Sequence, residues 1–258
     1  MELLRVSEYR FVTLINLRSL RLGEFADWMR VQKSLRKEHP DADRVLSAFE
    51  NTVARFLPDY THLRLDGDDG RQLWIDRGKT ALPVRQLSDG ERGTLALVLD
   101  LTRRLAQANP HLDDPATKAE AIVLIDEIDL HLHPKWQRQI IHNLQETFPR
   151  CQFIATTHSP QVIGEVEHNR IQIIADGLVY SPSHSYGVDS SRVLEEIMDS
   201  EPRAKEVKEL LSQMAEAIGK QQYGDARGLI ARLVERLGEN DPEVTRIRTL
   251  LDFVEGKE

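Results

Sequence analysis

Apolar residues change their spacing several times along this chain, and each change predicts a different element. Residues 1–25 mix apolar and basic positions without a clean period, although Phe11-Val-Thr-Leu-Ile-Asn-Leu is a short apolar run. Between Asp27 and Pro40, Arg30, Lys33, Arg36 and Lys37 recur at helical spacing, the pattern of a solvated helix face. From Asp43 the apolar residues Val45, Leu46, Phe49, Val53, Phe56 and Leu57 take over that spacing, and Pro58 stops the helix. The run from His62 to Val84 carries two alternating stretches around Gly-Asp-Asp-Gly, which predicts a β-hairpin. A further helix follows Gln86, with Leu95, Leu99, Leu101 and Leu105 at helical spacing and Ser88 or Asp89 placed to cap it.

After a linker rich in Asn, Pro and Asp at 109–116 comes the stretch Ala121–Pro134, AIVLIDEIDLHLHP. Five apolar residues followed by Asp126 and Glu127 read as a buried parallel strand that delivers acids to its C-terminal edge, where open α/β sheets bind ligands. That pattern suits a nucleotide and Mg²⁺; a core strand ending in a solvated acidic turn has the same pattern. Pro134 opens a helix running to Phe148, with Trp136, Ile140, Ile141 and Leu144 as its apolar face. A second buried strand, Gln152–Thr156, ends in Thr157-His158-Ser159-Pro160 and completes a βαβ unit. Short strands are expected at Ile171–Ile174 and Leu178–Tyr180 around an Asp176-Gly177 turn. From Ser190 the pattern is helical, broken near Ser200, Tyr223 and Gly238, which predicts three or four short antiparallel helices. The expected organisation is an α/β domain over 1–189 and a helical module over 190–258. Within the first, a helical and hairpin part spans 27–85 and a catalytic part spans 86–180.

Composition narrows the class. A formal net charge of −8 over 258 residues gives no global attraction to DNA, so DNA as a partner is not argued by charge. The single cysteine, Cys151, forms no internal disulfide and reads as a small buried residue in a reduced compartment. With no bilayer-length apolar run and no cleavable leader in the pattern, a cytoplasmic location away from membranes is expected. Gly78-Lys79-Thr80 resembles the end of a phosphate-binding P-loop, but position 73 is Leu where that motif needs glycine, so Lys79 reads as a turn residue. No G-x-x-x-x-G-K-[ST] occurs elsewhere.

Two candidate sites emerge from the residues themselves. Ser88, Gly90 and Glu91 at a helix start can bind an anion through a hydroxyl, a close backbone approach and free N–H groups. The same Ser88-x-x-Glu91 spacing makes a plain capping box. His131, His133 and His158 with Asp126 define a competing divalent-metal site for a nuclease or hydrolase, since residues two apart in a strand share a face. That reading leaves LSDGER unexplained.

LSDGER at 87–92, VLIDE at 123–127 and TTHS at 156–159, in this order, resemble the ABC-type ATPases of the soluble SMC and RecF-like branch and of bacterial anti-phage systems. The likeness is closer still to bacterial AAA/ABC-like proteins bearing QLSDGER, LIDEIDLHLHP and THSPQV, and it covers roughly residues 27–165. It implies the C-terminal lobe of a P-loop NTPase, an α/β fold with parallel strands and flanking helices, followed by the helical module. It further implies ATP and Mg²⁺: Asp126 holding the metal, Glu127 orienting or deprotonating the attacking water, and His158 bonding the γ-phosphate. Ser88, Gly90 and Glu91 belong to the motif that contacts a nucleotide held by the opposite protomer, and Asp129–His131 to the loop that couples the two sites. The implied partners are a second copy or another ATPase head, and a nuclease controlled in phage defence or DNA repair.

One departure matters. The family's P-loop lysine motif, expected before residue 27, is absent from the 258 residues. A C-terminal fragment, a lobe supplied by another chain and a degenerate ATPase all account for this, the first most directly. The expectation is an ATPase with weak or no turnover by itself. The alternative is a non-hydrolysing regulatory or interaction module of the same shape.

Overall fold

Strand formation at Ala121–Asp126 has a simple cause: its first five residues are aliphatic and uncharged, with β-branched Ile122, Val123 and Ile125, so they can be buried and hydrogen-bonded on both sides. The computed structural model describes residues 12–16, 22–35, 41–66, 72–201 and 203–256. In chain order these form β1 (Val12–Asn16), α1 (Leu22–Leu35), α2 (Asp41–Phe56), β2 (Tyr60–Asp66), β3 (Gln72–Arg77), β4 (Thr80–Pro83), α3 (Asp89–Ala108) and α4 (Pro115–Lys118). There follow β5 (Ala121–Asp126), α5 (Pro134–Thr147), β6 (Cys151–Ala155), α6 (Pro160–Ile163), β7 (Ile173–Ala175), β8 (Leu178–Tyr180), α7 (Ser190–Glu196), α8 (Lys205–Gly219), α9 (Tyr223–Leu237) and α10 (Pro242–Val254). The chain divides into two compact units, residues 1–190 and 191–258.

The larger unit is α/β, with β5 in the middle of a parallel sheet of order β1-β5-β6. Val12 to Asn16 pair with Ile122 to Asp126, and Ala121 to Ile125 pair with Cys151 to Ala155. The expected βαβ unit is thus present, with α5 as its crossover. β1 is the strand that hydrophobic spacing left unread, a five-residue piece of the Phe11 run whose partner lies more than a hundred positions on.

One face of this sheet builds the core. Ile15, Val123 and Ile125 are buried with Phe49, Val53 and Phe56 of α2, Leu95, Leu99, Leu101 and Leu105 of α3, and Ile140 and Leu144 of α5. The opposite face is partly open: Val12, Leu14 and Ile154 are 51%, 62% and 50% exposed. α1 adds Phe25 and Trp28, whose rings lie 5.2 and 5.0 Å from that of Phe49. Its outer face carries Arg30, paired with Asp27, as the basic spacing predicts; Arg36 and Lys37 lie outside the described residues.

The predicted hairpin is the first part of an antiparallel meander, β2-β3-β4, and its Gly-Asp-Asp-Gly turn lies outside the described residues. Gly78-Lys79 forms the two-residue turn into β4, with Arg77 paired to Thr80 and Gly78 at φ +60°. A glycine permits that left-handed backbone without a side-chain clash. Lys79 is therefore a turn residue. Asp176 and Gly177, at φ +50° and +77°, make the β7–β8 turn in the same manner.

In the smaller unit, Val207, Leu210 and Met214 of α8 pack with Ala226, Ile230 and Leu233 of α9 and Val244, Ile247 and Leu251 of α10. Arg236 near the end of α9 pairs with Glu206 at the start of α8 at 2.8 Å, and Arg227 near the start of α9 pairs with Glu255 just after α10. Neighbouring helices therefore run antiparallel.

All three tryptophans, Trp28, Trp74 and Trp136, belong to the larger unit, so their fluorescence follows its unfolding alone. Phe49, fully buried where α2 meets α1, is expected to cost this unit about 3–5 kcal/mol when changed to Ala, read from the urea transition of that signal.

Candidate active site at the end of the central strand

β5 emerges from the core at Asp126, and the chain turns at once. Glu127 lies at φ +53° and His131 at φ +60°, left-handed conformations that residues other than glycine rarely adopt. Leu130 N–H donates to Glu127 C=O at 2.9 Å and Leu132 N–H to Asp129 C=O at 3.1 Å, so two tight turns lead to α5. Pro134 occupies the first turn of that helix, where its missing N–H costs nothing.

β6 ends beside β5, which brings Thr156, Thr157 and His158 to the same edge. Thr156 Oγ1 donates to Asp126 Oδ1 and accepts from Glu127 N–H, both at 2.8 Å. Thr157 Oγ1 donates to Asp129 Oδ1 at 2.5 Å, and the same oxygen accepts from His158 N–H at 3.2 Å. Asp126 and His158 are exposed, and Glu127 and Asp129 are half-buried. Among the described residues, the His158 ring and Asp126 Oδ2 have no hydrogen-bond partner. Ser159 caps α6 and donates to Gln137 Oε1 at 2.8 Å, while Gln137 Nε2 donates to Leu132 C=O at 3.0 Å. This fastens the acid turn to the segment after β6.

Ser88, Gly90 and Glu91 lie at the start of α3. Ser88 is its N-cap, and the capping box is complete: Ser88 Oγ accepts from Glu91 N–H at 3.3 Å and Ser88 N–H donates to Glu91 Oε2 at 2.8 Å. Ser88 Oγ–H also donates to Oε2 at 2.8 Å, and Tyr60 donates to Oε1 at 2.5 Å. Burial of Glu91 opposes its ionisation, but the bonds from Tyr60 and Ser88 outweigh burial and hold the carboxyl below its ordinary value of 4.5. Burial and the neighbouring carboxylate together push the Tyr60 hydroxyl up to about 12. Gly90 meets the turn after β5 closely: a β-carbon added there would stand 2.9 Å from His131 C=O and 3.6 Å from Leu132 Cα. The structure therefore packs the LSDGER segment onto the turn that follows the acids.

The histidines do not converge as a strand pair. The chain leaves the extended conformation at Glu127, so the two-residue period that would align His131 with His133 does not apply. His133 instead caps α5, its Nδ1 accepting from Lys135 N–H at 3.3 Å. Among the described residues, no group of three His, Cys, Asp or Glu side chains gathers to hold a metal ion. Cys151 is half-buried, and burial pushes its thiol up to about 12, which keeps it protonated. Also among the described residues, no helix is long and apolar enough to cross a membrane.

Sequence reasoning missed three contributors: Thr156, Tyr60 and Asn16, the last standing opposite Asp126 at the end of β1. The signal for Thr156 was its position at a strand end beside the acid-bearing strand; for Tyr60 there was none in spacing alone.

The sheet thus gathers acids and a hydroxyl- and histidine-bearing loop at the carboxyl ends of its strands, where open α/β sheets bind ligands. The chain belongs to the family described as AAA domain, putative AbiEii toxin, Type IV TA system, whose model matches residues 12–164. The AAA-type ATPase resemblance read from the motifs is borne out by that match. Over 210 residues the chain is 38% identical to the Retron Ec83 probable ATPase of Escherichia coli, covering 80% of this chain and 38% of the relative. It is 34% identical over 174 residues to the Retron Vc95 probable ATPase of Vibrio cholerae serotype O1 biovar El Tor, covering 66% of this chain and 34% of the relative. A Septu protein PtuA of Bacillus mycoides is 46% identical over 77 residues, covering 30% of this chain and 10% of that protein. The chain thus spans less than two fifths of the length of these curated relatives. An SMC head domain from Thermotoga maritima superposes over 65% of this chain and 52% of its own, at 17% identity and a TM-score of 0.39, which is a partial overlap.

Two variants probe the packing of this site. Gly90→Ala is expected to cost about 1–3 kcal/mol, because the group it strikes is backbone that cannot rotate away. Tyr60→Phe removes the hydrogen bond that most depresses Glu91. A depressed carboxyl adds stability that is present above its ordinary value of 4.5 and lost as pH falls through the folded value. Tyr60→Phe is therefore expected to cost about 1–3 kcal/mol at neutral pH and less in acid, read from urea transitions at the two pH values.

Proposed function

We propose that the larger unit is the hydrolytic side of an ATP site that converts ATP and water to ADP and phosphate. The observation that carries this reading is the shared edge of β5 and β6, which brings Asp126, Glu127 and His158 together beside the turn packed by Gly90. Family membership and relatives named probable ATPases support it.

Asp126 suits Mg²⁺: it is exposed, its oxygens are hard donors, and Oδ2 is uncommitted among the described residues. A bound divalent cation neutralises phosphate charge. Glu127 takes the proton of the attacking water, whose oxygen bonds the γ-phosphorus as the bond to the bridging oxygen of ADP breaks. His158 donates to the transferring phosphate. At the start of α3, the N–H groups of Asp89 and Gly90 have no protein partner among the described residues, so they are the donors left for a phosphate of a facing molecule. Ser88 supports that contact by capping. Glu91 anchors the helix start, because its oxygens are already bonded and a carboxylate repels phosphate.

Since the 258 residues contain no P-loop, the phosphate-holding loop comes from outside them. The partner we assign is a P-loop-bearing lobe seated on Val12, Leu14 and Ile154, because a parallel sheet is ordinarily covered on both faces. Two such assemblies then meet head to tail around ATP. The retron and Septu names of the relatives support a role in phage defence, with ATP-driven pairing controlling an effector.

The test is phosphate release from Mg-ATP by this chain alone and by the chain combined with a P-loop-bearing segment of a homologue. Little turnover is expected alone, and measurable turnover in the pair. Glu127→Gln is expected to lower the latter by about 100-fold or more. Undiminished turnover in that variant removes Glu127 from the chemistry.

A further inference from the structure

We infer that Thr156 is a positioning residue for the acid pair: one hydroxyl sets both the side chain of Asp126 and the backbone of Glu127. This rests on the ATPase reading above for its consequence and on hydrogen bonds alone for its geometry.

Thr156 stands one residue beyond β6, yet it is bound to the acid-bearing strand on every side. Its N–H donates to Ile125 C=O at 3.0 Å and its C=O accepts from Ile128 N–H at 3.0 Å, so its main chain brackets the two acids. Between those bonds the Glu127 N–H has left the ladder, because Glu127 is left-handed. Thr156 Oγ1 takes that N–H at 2.8 Å and gives its own proton to Asp126 Oδ1 at 2.8 Å. A hydroxyl has one proton to give and two lone pairs to receive, so both bonds coexist on one atom. The result is a fixed relation between a carboxylate proposed to hold a cation and the residue proposed to accept the proton. Thr157 repeats the device one step along, binding Asp129 and so fixing the start of the segment that bears His158.

A threonine that merely filled space at a strand end would need only its β-branched shape. Here the hydroxyl is the active part, and that difference can be measured. Thr156→Val keeps the shape and removes the hydroxyl; Thr156→Ser keeps the hydroxyl. Amide hydrogen exchange by NMR on the 258-residue chain, without nucleotide, reads the geometry directly. In Thr156→Val the Glu127 amide is expected to exchange about tenfold faster or more, while the amide of Ile128 and the melting temperature stay as in the unaltered chain. In Thr156→Ser the Glu127 amide keeps its protection.

With the P-loop-bearing segment present, kcat is expected to fall about 10- to 100-fold in Thr156→Val with KM within about twofold, and to recover in Thr156→Ser. Unchanged protection of the Glu127 amide in Thr156→Val overturns the inference. So does unchanged kcat in that variant where Glu127→Gln is inactive. If Glu127→Gln turns over normally, the ATPase assignment fails instead, and the amide measurement still decides whether Thr156 positions the turn.

Discussion

β5 must satisfy two demands that conflict at a single residue. As the middle strand it has neighbours on both sides, and Ala121, Val123 and Ile125 are buried so completely that a charge among them would be desolvated at a cost of several kcal/mol. Yet the chain presents Asp126 and Glu127 immediately afterwards. The solution is to stop the strand at the first acid and turn within one residue, which is why Glu127 adopts a conformation that disfavours side chains. That turn leaves backbone groups needing partners, and the extension of β6 supplies them through Thr156. The arrangement of groups at the sheet edge thus follows from the way the strand has to end.

A second constraint comes from α3. Its first turn approaches the 131–133 backbone so closely at Gly90 that only a residue without a β-carbon fits undisturbed. The capping box and Tyr60 hold that helix start still, and Arg77 lies over the Tyr60 ring at 5.6 Å. Capping and anion binding are compatible readings of the same four residues, and the structure shows the capping box. Ser88 and Glu91 spend their side chains on each other, and the N–H groups of Asp89 and Gly90 are those left over at the positive end of the helix.

How legible this was depends on the range of the interaction. Elements fixed by local chemistry could be read directly: the Pro58 stop, the Ser88 cap, the Gly78-Lys79 turn, Pro134 opening α5 and the apolar run of β5. β1 could not, because five residues in a basic context carry no periodic signal and its identity lies in pairing with Ile122–Asp126. β4 was hidden for a similar reason, its four residues recognisable only beside β3. The site divides the same way. Asp126, Glu127 and His158 were visible from motif order, whereas the clasp of Thr156 needs the register between two parallel strands, and the fit of Gly90 needs a helix and a turn some forty residues apart to meet.

The contrast between two histidines shows how the edge is partitioned. His133 is consumed by structure: its Nδ1 accepts from a helix amide, which requires that nitrogen to be without a proton and fixes the ring against α5. At His158 the relation is reversed, with the main chain tied to Asp129 while the ring has no partner among the described residues and stands exposed. The backbone at His158 is thus held by its bond to Asp129, while the hydrogen-bonding capacity of the ring stays unused among the described residues. The same is true of Asp126 Oδ2, one oxygen of a carboxylate whose other oxygen is pinned by Thr156. On the ATPase reading proposed above, these two groups at one sheet edge are the ones left for Mg²⁺ and for a phosphate oxygen.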